Sequence, residues 1–333
     1  MQKISSIFKL FLLTIVVLIV FSGQVIASSQ FISIATGSTG GTYYPVGVIL
    51  AGNFQDRIEG DYKFSAQASG GSRENLEMLR NKEVKLAIVG GAPSSNAYTG
   101  EEKYKGKPIK NIRYVTALWP EAMQIVYRTG TGIESFTDFP GRKIAVGPAG
   151  GGGTVYFPIL LKQIEGLSFD DFQPQFLGYS DSAQAMQNRL IDACFLGGGF
   201  PTSAVSQLYA SQVSVDMIEF SDEDVASVRE VAPYFTRVVI EKGTYPGQEE
   251  DLDLMGIKST LVVEESVSEE LVYEMLKSIY DHDLEGLKEK HGALKTLSLE
   301  EALSGLTSVP LHPGALKFYQ EHNVDIPADL EGK

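Results

Sequence analysis

Thr36-Gly37-Ser38-Thr39-Gly40-Gly41-Thr42-Tyr43-Tyr44-Pro45 and Gly147-Pro148-Ala149-Gly150-Gly151-Gly152-Gly153-Thr154-Val155-Tyr156-Phe157-Pro158 share one layout. Each follows a short β-type run (31–35 and 143–146) and precedes an apolar helical pattern, so each reads as strand, glycine-rich turn and helix N-terminus. The first N–H groups of a helix have no intrahelical partner and carry partial positive charge, which favours an anion or carboxylate. Two such turns, about 110 residues apart, predict two lobes that grip one small ligand between them.

Working outward, strand and helix patterns alternate. Residues 62–68 read as a strand, 73–81 as a helix that Ser72 is placed to cap, and 84–89 as a short buried strand running into Gly90-Gly91. The plan restarts with strands at 112–117 and 123–128, separated by Leu118-Trp119-Pro120-Glu121. Helices follow at 157–164, 180–190 and 202–210, with strands at 175–177 and 191–196, the latter running into Gly197-Gly198-Gly199. Successive β-α-β units with glycine turns predict doubly wound, parallel α/β sheets and an internal pseudo-repeat. Long strands near 118–126 and 238–261 are candidates for two crossovers between lobes. The apolar stripe over 268–279 reads as a core-packing helix.

Composition narrows the function. Lys3 and Lys9, the apolar run 10–21 and Val25-Ile26-Ala27 read as a signal peptide over 1–27. Removing those two lysines takes the formal net charge from −14 to −16, which argues against nucleic acid and anionic membranes as partners. The single cysteine, Cys194, lies in an apolar strand pattern and reads as a buried thiol. Neither glycine-rich turn has the lysine of a P-loop or the Gly-x-Gly-x-x-Gly spacing, so a nucleotide is not expected. The four histidines, His282, His291, His312 and His322, show no metal-ligand spacing and no nucleophile partner. No cofactor, metal or catalytic residue is expected.

Five motifs, in order over about 31–320, carry a family resemblance. They are Gly40-Gly41-Thr42-Tyr43-Tyr44-Pro45, Ser69-Gly70-Gly71-Ser72-Arg73-Glu74-Asn75-Leu76, Gly141-Arg142-Lys143-Ile144-Ala145-Val146-Gly147, Gly243-Thr244-Tyr245-Pro246-Gly247-Gln248 and Val309-Pro310-Leu311-His312-Pro313-Gly314-Ala315. Together with the leader they resemble the TAXI family, the solute-binding proteins of tripartite ATP-independent periplasmic (TRAP) transporters. The resemblance implies a type II periplasmic-binding-protein fold. That means two doubly wound α/β lobes joined by a two-strand hinge, with lobe I over 31–122 and 239–333 and lobe II over 123–238. It also implies a periplasmic or otherwise extracytoplasmic monomer that captures a small carboxylate or amino acid, such as glutamate or 2-oxoglutarate, and delivers it to an integral-membrane permease. An exported sensor or adhesive protein of the same fold, or a periplasmic enzyme, are the other readings of the chain.

Ligands of open α/β sheets bind beyond the carboxyl ends of the strands. That rule places Thr39, Gly40, Gly41, Thr42, Tyr43 and Tyr44 at the first jaw, the two tyrosines as binding wall or as core. Ser69, Gly70 and Ser72 add donors. Arg73 either pairs a carboxylate or sits on the surface of the first helical turn. Gly90 and Gly91 stand where the resemblance expects Gln-Ser-Asp and ligand contacts. Gly150, Gly151, Gly152, Gly153 and Thr154 form the opposing jaw, Tyr179 closes the pocket or lies in a surface turn, and Gly198 and Gly199 line the floor. Glu121, at the first crossover, either meets an ammonium group or is solvated at the hinge.

Overall fold

Strand β1 (Gln30–Ala35) buries Ile32, Ile34 and Ala35 at its carboxyl end and delivers the chain to the first glycine-rich turn. The computed structural model to which it belongs describes residues 29–332, so the leader expected over 1–27 lies outside the described residues. After the turn come α1 (Tyr43–Arg57), β2 (Tyr62–Gln67), α2 (Ser72–Arg80), β3 (Leu86–Gly90), α3 (Gly91–Thr99) and the long β4 (Ile112–Ala122). The second unit contains β5 (Ile125–Arg128), β6 (Lys143–Ala145), α4 (Gly153–Glu165), β7 (Gln173–Gln175), α5 (Tyr179–Gln187), β8 (Ala193–Phe195), α6 (Ser203–Tyr209), β9 (Val215–Met217) and α7 (Asp222–Val231). Then β10 (Thr236–Ile240), β11 (Leu252–Glu264), α8 (Glu269–Lys277), α9 (Leu284–Lys290) and α10 (Pro313–Glu321) complete the described chain.

Two sheets result, and they repeat one plan. In the first, β1 is flanked in parallel by β2 and β3, and β11 joins β3 antiparallel. In the second, β6 is flanked in parallel by β7 and β8, and β5 joins β8 antiparallel. The pseudo-repeat is therefore present, but the sheets are mixed rather than wholly parallel. Of the added strands, β5 follows directly on the crossover β4 and β11 is itself a crossover, and both run against the direction of the β-α-β units.

The crossovers are β4 and β11, which pair antiparallel from Gly256↔Ala122 to Glu264↔Ile112 with register shifts near Lys258/Thr260 and Leu261/Val262. Separate strands at 112–117 and 123–128 were expected; instead β4 continues through Pro120 to Ala122. It can do so because β11 is the one named strand that β4 pairs with among the described residues; its other edge makes only scattered bonds, at Tyr114, Ala117 and Ala122, which leaves Pro120 without a ladder partner to deny.

Each sheet has its own apolar core. The first cluster runs from Ile32 to Trp119 and from Leu261 onward, and includes Leu271, Met275 and Phe318 of the C-terminal helices. The second runs from Ala122 to Ile257 around Phe157, which meets Phe136 edge-on at 5.8 Å and Phe139 at 6.1 Å. Such pairs add about 0.5–1.5 kcal/mol to the burial itself. The changeover falls inside β4 and inside β11, so both cores are anchored to the same two strands. Among the described residues no helix is long and apolar enough to cross a membrane.

Candidate functional site

Between the two sheets lies a cavity of about 40 Å³, on a scale where one water takes roughly 10–15 Å³. Its first wall is Gly37, Ser38, Gly41, Thr42 and Tyr43 with Gly70, Gly71 and Ser72; its second is Pro148, Gly151, Gly152 and Tyr156 with Tyr179, Phe195 and Gly197. Glu121 and Met123, from the first crossover, complete it.

Four helices begin at this cavity: α1 after Thr42, α2 after Gly71, α4 after Gly152 and α5 after Gly178. None of the four starts has a side-chain cap. Two helices come from each sheet, so partial positive charge converges from both sides. Among the described residues the backbone N–H groups of Thr42, Tyr43, Ser72, Gly152 and Gly153 carry no hydrogen bond. The Tyr179 N–H donates to Ser38 Oγ at 2.9 Å.

The jaws touch. Ala204 N–H donates to Gly40 O at 3.0 Å and Arg73 N–H to Gly150 O at 3.1 Å, while the Thr42 hydroxyl donates to Gly199 O. Only glycine permits this approach. A Cβ on Gly40 would lie 2.7 Å from Ser180 N, and one on Gly151 would lie 2.6 Å from Gly70 O. These are backbone atoms that cannot swing aside.

Among the described residues Glu121 supplies the one charged side chain of the cavity wall. It is 5% exposed and accepts a hydrogen bond from the Tyr43 hydroxyl. Burial pushes its carboxyl up to about 7, against the opposing effect of that hydrogen bond. Burial and the nearby carboxylate hold the Tyr43 and Tyr156 hydroxyls well above the usual phenol range. Tyr156 is 1% exposed and its hydroxyl has no hydrogen-bond partner among the described residues. A buried polar atom left so is costly unless something else meets it. No group of three or more His, Cys, Asp or Glu among the described residues is placed to hold a metal ion.

The expected residues divide into three groups. Gly41, Thr42, Tyr43, Gly70, Ser72, Gly151, Gly152 and Tyr179 line the cavity. Others shape or join the jaws from behind. The Ser69 hydroxyl donates to Asn75 Oδ1 at 2.6 Å, lies 3.1 Å from Thr36 O and accepts from Gly71 N–H. Thr39 lies 3.4 Å from the Ser180 hydroxyl, and Gly40, Gly150 and Gly199 make the inter-jaw bonds. Thr154 bonds back to Gly151 O. A Cβ on Gly153 would meet Val146 O at 2.0 Å, one on Gly198 would meet the Thr42 hydroxyl at 3.3 Å, and one on Gly90 would meet the Tyr156 hydroxyl at 2.2 Å. The third group lies apart from the cavity. Tyr44 is not on its wall, and Gly91 opens instead on a separate hollow of about 590 Å³ with Tyr234, Lys258 and Glu301. Arg73 brings its backbone to the jaw while its charge acts on Lys103 and Tyr104.

Sequence reasoning left out Gly37, Ser38, Met123, Pro148, Tyr156, Phe195 and Gly197, and left Glu121 undecided. One signal was available for Glu121: it is the only charged residue between Arg113 and Arg128.

Solved structures share this architecture. The methylphosphonate complex of PhnD1 from Prochlorococcus marinus (MIT 9301) is similar with a TM-score of 0.52 at 9% identity, over 80% of this chain and 91% of that one. A protein of Bordetella bronchiseptica RB50 is similar with a TM-score of 0.50 at 16% identity, over 90% of both chains. A protein from Streptococcus mutans, from work on glutathione import via GshT and the cystine ABC importer TcyBC, reaches only 0.48 at 12% identity, over 80% and 96%. At these identities the first two speak for the fold alone, and that fold is the two-lobed periplasmic-binding-protein architecture with its cleft between the lobes. The family model described as the NMT1-like family matches residues 34–322, and by that match the chain belongs to the NMT1-like family.

Proposed function

We propose that this chain is an extracytoplasmic solute-binding receptor of TAXI type, serving a TRAP permease. It captures a small carboxylate or amino acid, such as glutamate or 2-oxoglutarate, by hinge closure. The observation that carries the reading is the meeting of four uncapped helix starts, two from each sheet, at one cavity. The five motifs are the support for the TAXI type and the permease class.

In this reading lobe I is the expected 31–122 and 239–333 and lobe II the expected 123–238, except that residues 240–257 pack with the core of lobe II. The solute first meets the N–H groups of Thr42, Tyr43 and Ser72 on lobe I. Lobe II then brings Gly152 and Gly153 against its other side. Closure requires the solute to contact both lobes better when they meet than when they part. A helix terminus is worth about 0.3–1 kcal/mol to an anion, so four supply roughly 1–4 kcal/mol. Micromolar affinity needs about 8 kcal/mol, and the hydrogen bonds and enclosure must provide the rest. The small cavity favours a compact guest. Closing the lobes also reshapes the outer surface, which gives a permease the means to distinguish loaded from empty receptor.

A thermal-shift screen of dicarboxylates, oxo acids, amino acids and sugars tests this. A true ligand at a hundred times its Kd stabilises by about 2.7 kcal/mol, several degrees in Tm. A shift confined to sugars, or none with any carboxylate or amino acid, defeats the reading.

A further inference from the structure

The cavity is built for two charges of opposite sign. Four helix starts turn positive ends toward it, yet among the described residues its wall holds no lysine, arginine or histidine and one carboxylate, that of Glu121. The groups facing that carboxylate are few. On α1, Tyr43 donates to Oε1; on α4 and α5, Tyr156 and Tyr179 feel its charge. On β11, Ile257 is its register partner, and the adjacent Lys258 is paired with Glu301 at 3.0 Å.

A carboxylate so enclosed is satisfied by a proton or by a cation, and no side chain of the wall is the cation. A wholly anionic guest would leave Glu121 facing like charge. A zwitterion meets the helix starts with its carboxylate and Glu121 with its ammonium group.

Resting on the receptor reading above, we infer that Glu121 is the specificity-determining residue of the cavity: it receives a primary ammonium group, and thereby selects an amino acid over the oxo acid of the same skeleton. Enclosed between the jaws without a cation beside it, the Glu121 carboxyl is protonated below about pH 7, so capture of an ammonium there releases that proton. Affinity therefore falls as pH falls, by about tenfold from pH 8 to pH 6.

The test is titration calorimetry of the full mature protein with two pairs, L-glutamate with 2-oxoglutarate and L-alanine with pyruvate. Each is run at pH 8 and pH 6, and in two buffers of different ionisation enthalpy to count protons. One amino acid is expected to bind at least tenfold more tightly than its oxo partner, to weaken about tenfold at pH 6, and to release close to one proton there. Glu121→Gln should abolish both the preference and the pH dependence. Should that variant fail to fold, the wild-type proton count decides. An oxo acid bound as tightly as its amino partner, or binding strengthened by acid, overturns the inference while leaving the receptor reading intact. If no member of either pair binds, the inference falls, and the receptor reading falls with it when the thermal-shift screen also shows no carboxylate or amino-acid ligand.

Discussion

Helix starts in this molecule come in two kinds. Away from the cavity, Ser221 and Asp224 form a reciprocal capping box at α7, Ser268 accepts from Leu271 N–H at α8, and His312 Nδ1 accepts from Gly314 N–H ahead of Pro313 at α10. At the cavity α1, α2, α4 and α5 have no side-chain cap, and three of the four N-cap residues are glycine. A cap is worth about 1 kcal/mol, so the cavity helices forgo roughly that much each. Lack of a cap is not enough to mark a site, since α3, α6 and α9 also lack one. What distinguishes the four is that all begin at one enclosed space, with N–H groups at α1, α2 and α4 that are unbonded among the described residues. There a guest can act as the missing cap for both lobes at once.

The largest effect comes from preventing the lobes from meeting. In Gly151→Val the new Cβ would stand 2.6 Å from Gly70 O and 3.1 Å from Pro148 Cγ. The clash lies between jaws and spares both apolar cores, so circular dichroism should be unchanged while calorimetry shows at least a hundredfold loss of ligand affinity. Gly152→Ala is the control, because its Cβ would meet only the Tyr156 ring at 3.4 Å, an ordinary contact. Equal losses in the two variants would mean that closure is not what Gly151 provides.

Next in size is the pH dependence of stability. The folded state raises the Glu121 carboxyl from 4.5 to about 7, so between those values the folded state holds more protons than the unfolded chain. Stability therefore falls as pH rises through this window, by about 3 kcal/mol in total. Other carboxylates act in the opposite sense: Glu301, beside Lys258, is held below its usual range. The isolating measurement is the difference between wild type and Glu121→Gln in urea unfolding at pH 5 and pH 8. The variant should gain on wild type at pH 8. An unchanged difference would place Glu121 in water, on the solvated side of the comparison.

Much of this was legible in the sequence because local rules and tertiary structure agree there. The two glycine turns follow strands and start helices as their composition requires, and eight expected residues reach the cavity. The departures have physical reasons. Gly90-Gly91-Ala92-Pro93 reads as the end of a strand, yet α3 begins at Gly91, whose bare Cα packs 3.4–3.5 Å, measured from an added Cβ, from the carbonyls of Gly305 and Lys258 on distant segments. Pro120 reads as a break, yet the outer edge of β4 is bonded only at scattered residues on either side of it. Arg73 adjoins the turn in sequence, but adjacency says nothing of where a long side chain leads. Glu121 stands alone as a charge in its strand, and its burial depends on α1, α4 and α5, which no local pattern could bring together.

The smallest effect tests the other kind of helix start. In Ser221→Ala, α7 loses the hydroxyl that accepts from Asp224 N–H, together with its bond to Asp224 Oδ2. The expected cost is about 1 kcal/mol, roughly 2 °C in Tm for a protein of this size. Ligand affinity should not change, because α7 contributes nothing to the cavity wall. Saturating ligand should raise the Tm of variant and wild type by equal amounts, since the two helix starts act on folding independently when they share no partners. An affinity loss in Ser221→Ala would mean that α7 and the cavity are coupled. The division between helix starts completed within the chain and helix starts completed by a guest would then have to be abandoned.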